Sequence, residues 1–492
     1  MVKEAKETVT KINSPKKRKA LLISSVFILS LLVISSSTVL WFFMNSFLYH
    51  VKAPSTKETI SSDKINSFIH QGHEKKNYRG LYDKTGNRIQ LRGINAGNIL
   101  LQEGWMSPFA VDPKKNEDGT IAKDKDNNVL YPEFTEEDFR IGLSSNENLK
   151  NKQNEMMDYY YKSFFSEEDF RIVKDELKFN CIRLPFYWRN LLNEEGGNFY
   201  RKPEKEAFNY LDWFISEARK NNLYVILDLH GAPYSQNGYE HSGLIPENNE
   251  DPGFWSSKEA MDAVVDLWNY VSEHYAKPEN KILSESIASY DLLNEPQMKK
   301  DTPEPKECFD YQDKIYKSLR ERNDQHLITI ECMWDPSVSP NPSTYNWENI
   351  MYEYHYYNWG NVPLAAYKAY FDMRAIGKDY DVPIYIGEFT CFEDTKIWKD
   401  TLVDWFDERF YNWTIWNYKT ISQGWWTSSW GVYTATLNLN IKNEELKCNV
   451  STCTEEEFKL TCEKIKTEKC KTGTLKKVID AYNTSSWEKI IK

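Results

Sequence analysis

The chain has 492 residues, of which 40% are hydrophobic and 15% are aromatic, and it contains 17 tryptophans. Such a composition excludes a disordered or fibrous chain, and the length suits either a few domains or one long β/α barrel. The net charge of −11 at pH 7 argues against nucleic acid, or an anionic membrane surface, as the main partner.

The N-terminal region is predicted to lie outside the folded domain. Residues 1–19 form a basic tail, and the stretch 20–48 that follows is apolar and 29 residues long, whereas a helix needs only about 20 residues to cross a bilayer. We therefore interpret 20–48 as an uncleaved transmembrane signal anchor, with the basic tail in the cytoplasm. The chain is then a single-pass type II membrane protein, with a polar stalk at 49–78 and an extracytoplasmic domain.

A cleaved signal peptide is the alternative. Its apolar core is about 7–15 residues long, a range that the segment 21–34 fits, and Ser35-Ser36-Ser37 offers small residues for processing. The apolar stretch continues past these serines, through 39–44. For this reason the uncleaved anchor is favoured over release of the protein by cleavage near Thr38.

The remainder, 79–492, is predicted to be one α/β domain, a (β/α)8 TIM barrel. A hairpin at 81–91 opens it, and a charged, turn-rich insertion at about 111–154 follows the first strand. Apolar runs then alternate with helical stretches, and each run ends in polar or aromatic residues, which is typical of a barrel with a site on its carboxyl-end face. The predicted strands are 91–95, 180–185, 223–230, 287–293, 326–331, 349–355, 382–387 and 413–418.

Two of these strands deliver a glutamate at their carboxyl ends. Glu295 follows the strand 287–293 within Asn-Glu-Pro, where proline stops the strand, and Glu388 follows the strand 382–387. A single triplet of this kind is commonly a solvated strand end. Two carboxylates on two rigid strands, however, are what a glycosidase needs to flank a scissile bond. We therefore predict that both glutamates are catalytic.

The other strand ends supply side chains that suit the same chemistry. An arginine and a tyrosine hydroxyl favour the ionised form of a nucleophilic carboxylate, an asparagine can reach a sugar 2-hydroxyl, and a tryptophan ring is a floor for a sugar ring. Each residue alone has a plainer explanation, such as a buried ion pair, a loop contact or core packing. The predicted substrate-binding residues are Arg183, His230, Asn294, His355, Tyr357 and Trp416.

These residues, together with the two glutamates, resemble the active-site set of family 5 glycoside hydrolases of the cellulase-like clan. The similarity is strongest to the fungal exo-1,3-β-glucanase branch, above all in the segment 228–238, Asp-Leu-His-Gly-Ala-Pro-Tyr-Ser-Gln-Asn-Gly. The resemblance implies a retaining enzyme in which Glu295 is the acid/base and Glu388 is the nucleophile. Phe389 departs from that branch, which usually has tryptophan there, so the linkage preference stays open.

No cofactor, metal or phosphate site is predicted. The eight histidines have no paired spacing, and the sequence contains neither a zinc-type Cys/His cluster nor a glycine-rich phosphate loop. Cys181, inside the second strand, is predicted to be a buried free thiol. A charged insertion at about 441–473 holds four further cysteines and no evident hydrophobic core, which predicts two disulfides of open pairing. These cysteines are Cys448, Cys453, Cys462 and Cys470.

Three N-glycosylation sequons begin at Asn412, Asn449 and Asn483. Asn449 is the expected acceptor because it lies in a predicted loop, whereas Asn412 adjoins the eighth strand.

Together these patterns predict a retaining β-glycosidase that hydrolyses β-glucosidic bonds of a glucan, either β-1,3-glucan or a cellulose-like chain, as a monomer. Three alternatives stay open. One is a membrane-tethered carbohydrate-binding protein that has lost turnover, which the presence of both glutamates argues against. The second is a transglycosylase, and the third is a hydrolase of a mannan or a glycolipid.

Overall fold

The computed structural model describes twelve stretches of the chain. They are residues 65, 67–72, 80–124, 129–246, 253–296, 304–332, 335–357, 363–377, 380–392, 394–421, 429–437 and 447–487.

Eight parallel strands close into a barrel in simple chain order. Each strand pairs with the next, and the eighth pairs with the first. The predicted (β/α)8 barrel is therefore confirmed, and all eight predicted strands are present. Their bounds are β1 Arg92–Asn95, β2 Cys181–Tyr187, β3 Tyr224–Gly231, β4 Ile287–Asp291, β5 Leu327–Glu331, β6 Ile350–Tyr357, β7 Ile384–Thr390 and β8 Asn412–Ile415.

The barrel helices pack around the outside, and their apolar faces meet the buried strands in one large core. A capping box opens the helix Glu167–Arg171, with the Ser166 backbone N–H donating to Asp169 Oδ2 at 2.6 Å. The helices are Glu136–Ser145, Gln153–Phe164, Glu167–Arg171, Glu204–Ala207, Asn209–Lys220, Lys258–Tyr275, Lys281–Ser284, Pro305–Glu321, Leu364–Gly377, Thr395–Thr401, Glu455–Lys464 and Thr474–Thr484.

Small sheets lie around the barrel. The predicted opening hairpin is present as Gly80–Tyr82 and Arg88–Ile89, and the remaining short strands are His70–Gly72, Phe109–Ala110, Leu192–Glu195, Asn198–Arg201, Lys419–Ile421, Tyr433–Ala435, Cys448–Asn449 and Lys471–Thr472. The predicted insertion at 111–154 is less irregular than its composition suggests, because it contains the helix Glu136–Ser145 and the start of another.

The predicted start of the domain, near residue 79, is too late. Ile65 and Ile69 are 4% and 0% exposed and belong to the apolar cluster that also holds Leu81 and Ile89. The strand His70–Gly72 extends the opening hairpin by antiparallel pairing. Part of the predicted stalk is therefore packed on the barrel. Its few apolar residues complete an apolar cluster whose other members come from distant parts of the chain, so the sequence of the stretch alone does not indicate it.

This packing makes truncation informative. A chain that begins at Gly80 should be less stable than one that begins at Glu58, by roughly 3–6 kcal/mol, because burial of an isoleucine side chain contributes about 1.5–3 kcal/mol. Urea denaturation of the two fragments measures the difference. Equal midpoints would mean that Ile65 and Ile69 contribute nothing to the free energy of unfolding.

The predicted transmembrane segment, 20–48, and the basic tail before it lie outside the described residues. Within the stretches that are described, none of the helices has the length and apolar character required to cross a bilayer.

The described part of the Cys-rich insertion joins the large hydrophobic core of the domain. All eight cysteines of the chain lie in the described stretches and none of them is in a disulfide, so the two predicted disulfides are not formed. The helix Glu455–Lys464 buries Phe458, which stacks on Phe109 with ring centroids 4.6 Å apart. The predicted lack of a hydrophobic core is wrong, because the insertion packs against an aromatic side chain from elsewhere in the chain. Cys181 is a buried free thiol, as predicted.

The sequon asparagines differ in accessibility. Asn412 is buried, and its side chain accepts from the Leu91 backbone N–H at 2.9 Å, which leaves it no access for a glycan. Asn449 is partly exposed and its amide donates to Asp112 at 2.7 Å. Modification of Asn449 stays a prediction.

Candidate active site

Glu295 lies four residues beyond the end of β4, at the carboxyl-end mouth of the barrel. Its backbone adopts a left-handed conformation, with φ of 42°, which is uncommon for a residue with a side chain. The Asn294 backbone N–H before it donates to the Leu229 carbonyl of β3 at 3.0 Å. The turn that presents Glu295 is thus tied to the neighbouring strand.

Glu388 lies inside β7 rather than after it, because β7 continues to Thr390. Extension of the strand fixes the Glu388 backbone by pairing with β6, where it is opposite His355. The residue before it must be glycine, since a Cβ atom at Gly387 would lie 1.5 Å from Glu353 Oε1. The Glu353 carboxylate therefore occupies the space that a side chain at position 387 would need.

The two glutamates face each other across a short gap. One carboxylate oxygen of Glu295, one of Glu388 and one ring nitrogen of His355 all lie within 4.8 Å of one another. His355 Nδ1 is 2.7 Å from Glu295 Oε1 and 3.7 Å from Glu388 Oε2. The imidazole therefore lies between the two carboxylates and contacts both.

Arg183 of β2 holds Glu388 from below. Its Nη1 donates to Glu388 Oε1 at 2.8 Å, Nη2 donates to Asn294 Oδ1 at 2.8 Å, and Nε donates to Asp291 Oδ2 at 3.0 Å. The side chain is 0% exposed. Arg183 therefore links the two glutamate-bearing strands, and in this structure it orients the carboxylates. Its contact with a substrate stays a prediction.

Tyr357 completes the contacts of Glu388, since its hydroxyl donates to Glu388 Oε2 at 2.5 Å. Each oxygen of Glu388 thus accepts one hydrogen bond, from a guanidinium on one side and from a phenol on the other. The two donors fix the orientation of the Glu388 carboxylate.

His230 and Trp416 form a stacked pair on the other side of the mouth. Their ring centroids are 5.6 Å apart with planes 13° from parallel. Burial lowers the pKa of His230 to about 3, so the imidazole is neutral near pH 7. Its Nδ1 is 2.7 Å from Asp228 Oδ2 and its Nε2 is 3.5 Å from Asn294 Nδ2. A neutral ring that donates from Nδ1 to Asp228 and accepts at Nε2 satisfies both contacts.

The structure thus brings all eight sequence-predicted site residues to one end of the barrel. Asn294 and His355 are fully buried, like Arg183, and His230 and Trp416 nearly so. As placed, they hold the two glutamates and one another, and their contact with a substrate stays a prediction.

A layer of buried carboxylates under the site was not predicted. Burial raises the pKa of Asp228 to about 8 and that of Glu331 well above its usual range. Burial also acts on Glu353, but the Arg183 charge and the His355 hydrogen bond outweigh it and lower its pKa. A signal for this layer exists in the sequence, because Asp228 and Glu353 each lie two residues before a predicted site histidine. The alternation of a strand places such residues on one face. The layer consists of Asp228, Asp291, Glu331 and Glu353.

Two further residues at the mouth were also missed. Glu103, on the loop after β1, accepts from Trp105 Nε1 at 2.7 Å, and burial raises its pKa to about 8. His241, on the loop after β3, places Nε2 3.0 Å from Glu295 Oε2. Both residues lie several positions after the end of their strand, whereas the site prediction considered only residues at the strand ends.

Aromatic side chains line the approach to Glu388. Trp430 lies 5.4 Å from Trp105, 5.5 Å from Tyr357 and 5.0 Å from Phe392, measured between ring centroids. We call these four residues the aromatic wall. Three of them are partly exposed, and rings of this kind offer flat apolar faces to sugar rings.

The same carboxylates and histidine could in principle ligate a cation. Glu295, His355 and Glu388 form one such group, and Glu331, Glu353 and His355 form a second. The Arg183 guanidinium, however, already donates to Glu388 and lies 3.4 Å from Glu353. A cation in either group would face this permanent positive charge, so the donor set fits protons better than a metal.

Comparison with known proteins gives the family. A family model for cellulase, glycosyl hydrolase family 5, matches residues 142–428. The chain belongs to glycosyl hydrolase family 5. This family 5 enzyme is accordingly a glycoside hydrolase, and the resemblance seen in its strand-end residues is confirmed.

Individual relatives are more distant. The family 5 enzyme is 26% identical over 373 residues to "Beta-xylosidase" from Phanerodontia chrysosporium, with 69% of each chain covered. It is 26% identical over 299 residues to "Glucan 1,3-beta-glucosidase I/II" from Saccharomyces cerevisiae, with 59% of each chain covered. The match therefore spans less than two thirds of that yeast relative.

Among solved structures, the enzyme is similar to one described as "Crystal structure of AoRut". The TM-score is 0.50 at 15% identity, and the match covers 75% of this chain and 95% of that chain. Similarity at this level of identity concerns the fold alone, and it agrees with the closed barrel.

Proposed function

We propose that this family 5 enzyme is a retaining β-glycosidase that hydrolyses β-glucosidic bonds of a glucan. The observation that carries the proposal is the gap between Glu295 and Glu388, whose nearest oxygens lie within 4.8 Å of each other. Retaining glycosidases place their two carboxyl groups about 5–5.5 Å apart, whereas inverting enzymes keep about 6.5–9.5 Å to admit a water molecule. Nearest oxygens this close favour the retaining arrangement.

The proposed reaction has two displacements. Glu388 attacks the anomeric carbon while the leaving oxygen takes a proton at Glu295, so the glycosidic C–O bond breaks and a glycosyl ester forms on Glu388. Glu295 then accepts a proton from a water molecule, which attacks the same carbon and releases Glu388. Arg183 and Tyr357 hold the Glu388 carboxylate in position before the first step.

A neutral glucan is the proposed substrate class. The aromatic wall offers ring faces to sugars. The net charge of −11 disfavours a polyanionic substrate. The relatives named as glucan 1,3-beta-glucosidase and as beta-xylosidase favour β-linked sugars with an equatorial leaving group. Anchoring by 20–48, an extracytoplasmic location and a monomeric state belong to the proposal, and the sequence alone supports them.

The function is tested by the anomer of the first product. Laminarin, cellulose oligosaccharides, mannan, glucosylceramide, and aryl β-glucoside and β-xyloside substrates are offered to the purified enzyme. Proton NMR during the first turnovers should show the β-anomer of glucose appearing first from a β-glucan. Initial release of the α-anomer would contradict retention, and cleavage of the mannan or the glycolipid alone would contradict the proposed substrate class.

A further inference from the structure

Glu103 and Trp105 lie on the loop after β1, at the mouth of the barrel. Trp105 is a partly exposed member of the aromatic wall, and its Nε1 donates to Glu103 Oε2 at 2.7 Å. Glu103 is 5% exposed and close enough to Glu388 to interact with it electrostatically. Only Gly104 separates the two residues in the chain. The position of the Gly104 peptide therefore determines where both side chains point.

The Gly104 peptide contacts two other segments of the chain. A Cβ atom at Gly104 would lie 2.7 Å from the Phe134 carbonyl oxygen, so the backbone packs directly on the segment before the helix Glu136–Ser145. The Gly104 carbonyl oxygen accepts a hydrogen bond from Lys447 Nζ. Of these two contacts, that of Lys447 comes from the more distant part of the chain.

Lys447 belongs to the Cys-rich insertion, and its backbone is fixed there. Its N–H donates to the Tyr131 hydroxyl at 2.9 Å, and its ammonium lies 5.5 Å from the centroid of the Tyr131 ring. The next residue, Cys448, pairs with Phe109 in a short parallel bridge of two strands. With its base held in this way, the side chain of Lys447 connects the insertion to the Gly104 peptide at the mouth.

A lysine in this place is unfavourable for the fold. Lys447 is 9% exposed. Burial lowers the pKa of its ammonium to about 7, and no carboxylate among the described residues opposes that shift. A buried ammonium without a carboxylate partner raises the free energy of the folded state, and an apolar side chain of similar length would not. Departures of this kind are typical of functional sites, so the lysine is better explained by its effect on the loop than by a gain in stability.

We propose that Lys447 is a positioning residue for substrate binding, which holds the Gly104 peptide so that Trp105 presents its ring to a bound sugar. The inference rests on the proposed function and deepens it. The ligand of the Trp105 ring is a β-linked sugar, because aromatic faces bind the apolar faces of such rings. Lys447 acts through the loop alone and takes no part in proton transfer or bond cleavage. Substrate binding is thereby coupled to the Cys-rich insertion.

The variant Lys447→Met tests this role, since it removes the donor and the charge but keeps a long side chain. KM for a laminarin oligosaccharide should rise by roughly three- to tenfold, the factor that corresponds to one aromatic contact. In contrast, kcat should change by less than about twofold, because Glu295 and Glu388 keep their places. The melting temperature should change little, because the lost hydrogen bond and the removed buried charge have opposite effects. A lower melting temperature with an unchanged KM would overturn the proposal.

Lys368→Met is the matched control. Lys368 Nζ also donates to a backbone carbonyl, that of Asp404, but the residue lies on the outer helix Leu364–Gly377. Its replacement should leave KM unchanged, and an equal rise in KM in both variants would overturn the proposal. If Lys447→Met does not fold, Lys447→Gln takes its place with the same expected result, because its shorter side chain ends before Gly104. Failure of both to fold would make Lys447 a residue of the fold alone and would equally overturn the proposal.

A second measurement needs no turnover. In the full chain with nitrogen-labelled tryptophan and the Glu388→Gln substitution, the Trp105 indole signal is assigned by its absence in Trp105→Phe. A laminarin oligosaccharide should shift this signal, and addition of Lys447→Met should raise the half-saturating concentration by roughly three- to tenfold. An unchanged half-saturating concentration would overturn the positioning role, even if hydrolysis is observed. Binding that weakens as expected in a protein whose wild type hydrolyses no glycoside would instead contradict the proposed function and leave the positioning role standing.

Discussion

Replacement of Glu388 by glutamine is expected to reduce kcat/KM on every glycoside that the wild type cleaves to below about one per cent. An amide cannot form the glycosyl ester, so the first displacement is blocked. The geometry favours a folded variant, because the glutamine oxygen can accept from Arg183 and its amide can donate to the Tyr357 oxygen. The variant should therefore lose catalysis and not folding, so kcat should fall while the melting temperature changes little.

Glu217→Gln is the matched control for this variant. Glu217 is also buried, but it lies on the outer helix Asn209–Lys220 and pairs with Lys220. Its replacement should keep wild-type turnover. A Glu388→Gln protein that retained more than a few per cent of the wild-type rate, with wild-type contamination excluded by mass spectrometry, would rule out Glu388 as the nucleophile.

The barrel and its central residues could be predicted because each strand carries its own signal. An apolar run that ends in Asn294-Glu295-Pro296 predicts both a buried strand and the point where it ends, and this prediction needs no other part of the sequence. The right-handed, sequential topology of β/α barrels then brings the strand ends to one face. The sequence patterns of the eight strands, together with the known topology of β/α barrels, were enough to predict that Glu295 and Glu388 lie close together.

The residues that escaped prediction act through contacts between distant segments. Ile65 and Ile69 lie in a polar stretch and become core residues only where the barrel accepts them. Phe458 lies in a charged insertion, yet it packs on Phe109, more than three hundred positions earlier in the chain. His241 reaches Glu295 from a loop whose course is set by tertiary packing. The periodicity of apolar residues within one segment cannot predict contacts of this kind.

The role of Glu295 can be tested by removing its side chain. In a retaining mechanism it first protonates the leaving oxygen and later accepts a proton from water. Glu295→Ala should therefore lose at least roughly a hundredfold on alkyl glucosides, whereas activated aryl glucosides, which need little protonation, should still form the glycosyl ester on Glu388. That ester should then accumulate, because no base remains to activate water, and it should be visible by mass spectrometry of the intact protein.

Azide distinguishes this outcome from simple misfolding. It is a nucleophile that needs no base, and in the proposed reaction the space left by the missing carboxyl group would lie next to the anomeric carbon. Added azide should therefore restore turnover of an aryl glucoside by Glu295→Ala and give a β-glycosyl azide. Glu295→Gln is the control, since its amide retains the bulk of the side chain next to His241 and His355 and should block the rescue. If Glu295→Ala loses alkyl and aryl substrates equally, with a wild-type melting temperature and no rescue by azide, then Glu295 is not the acid/base.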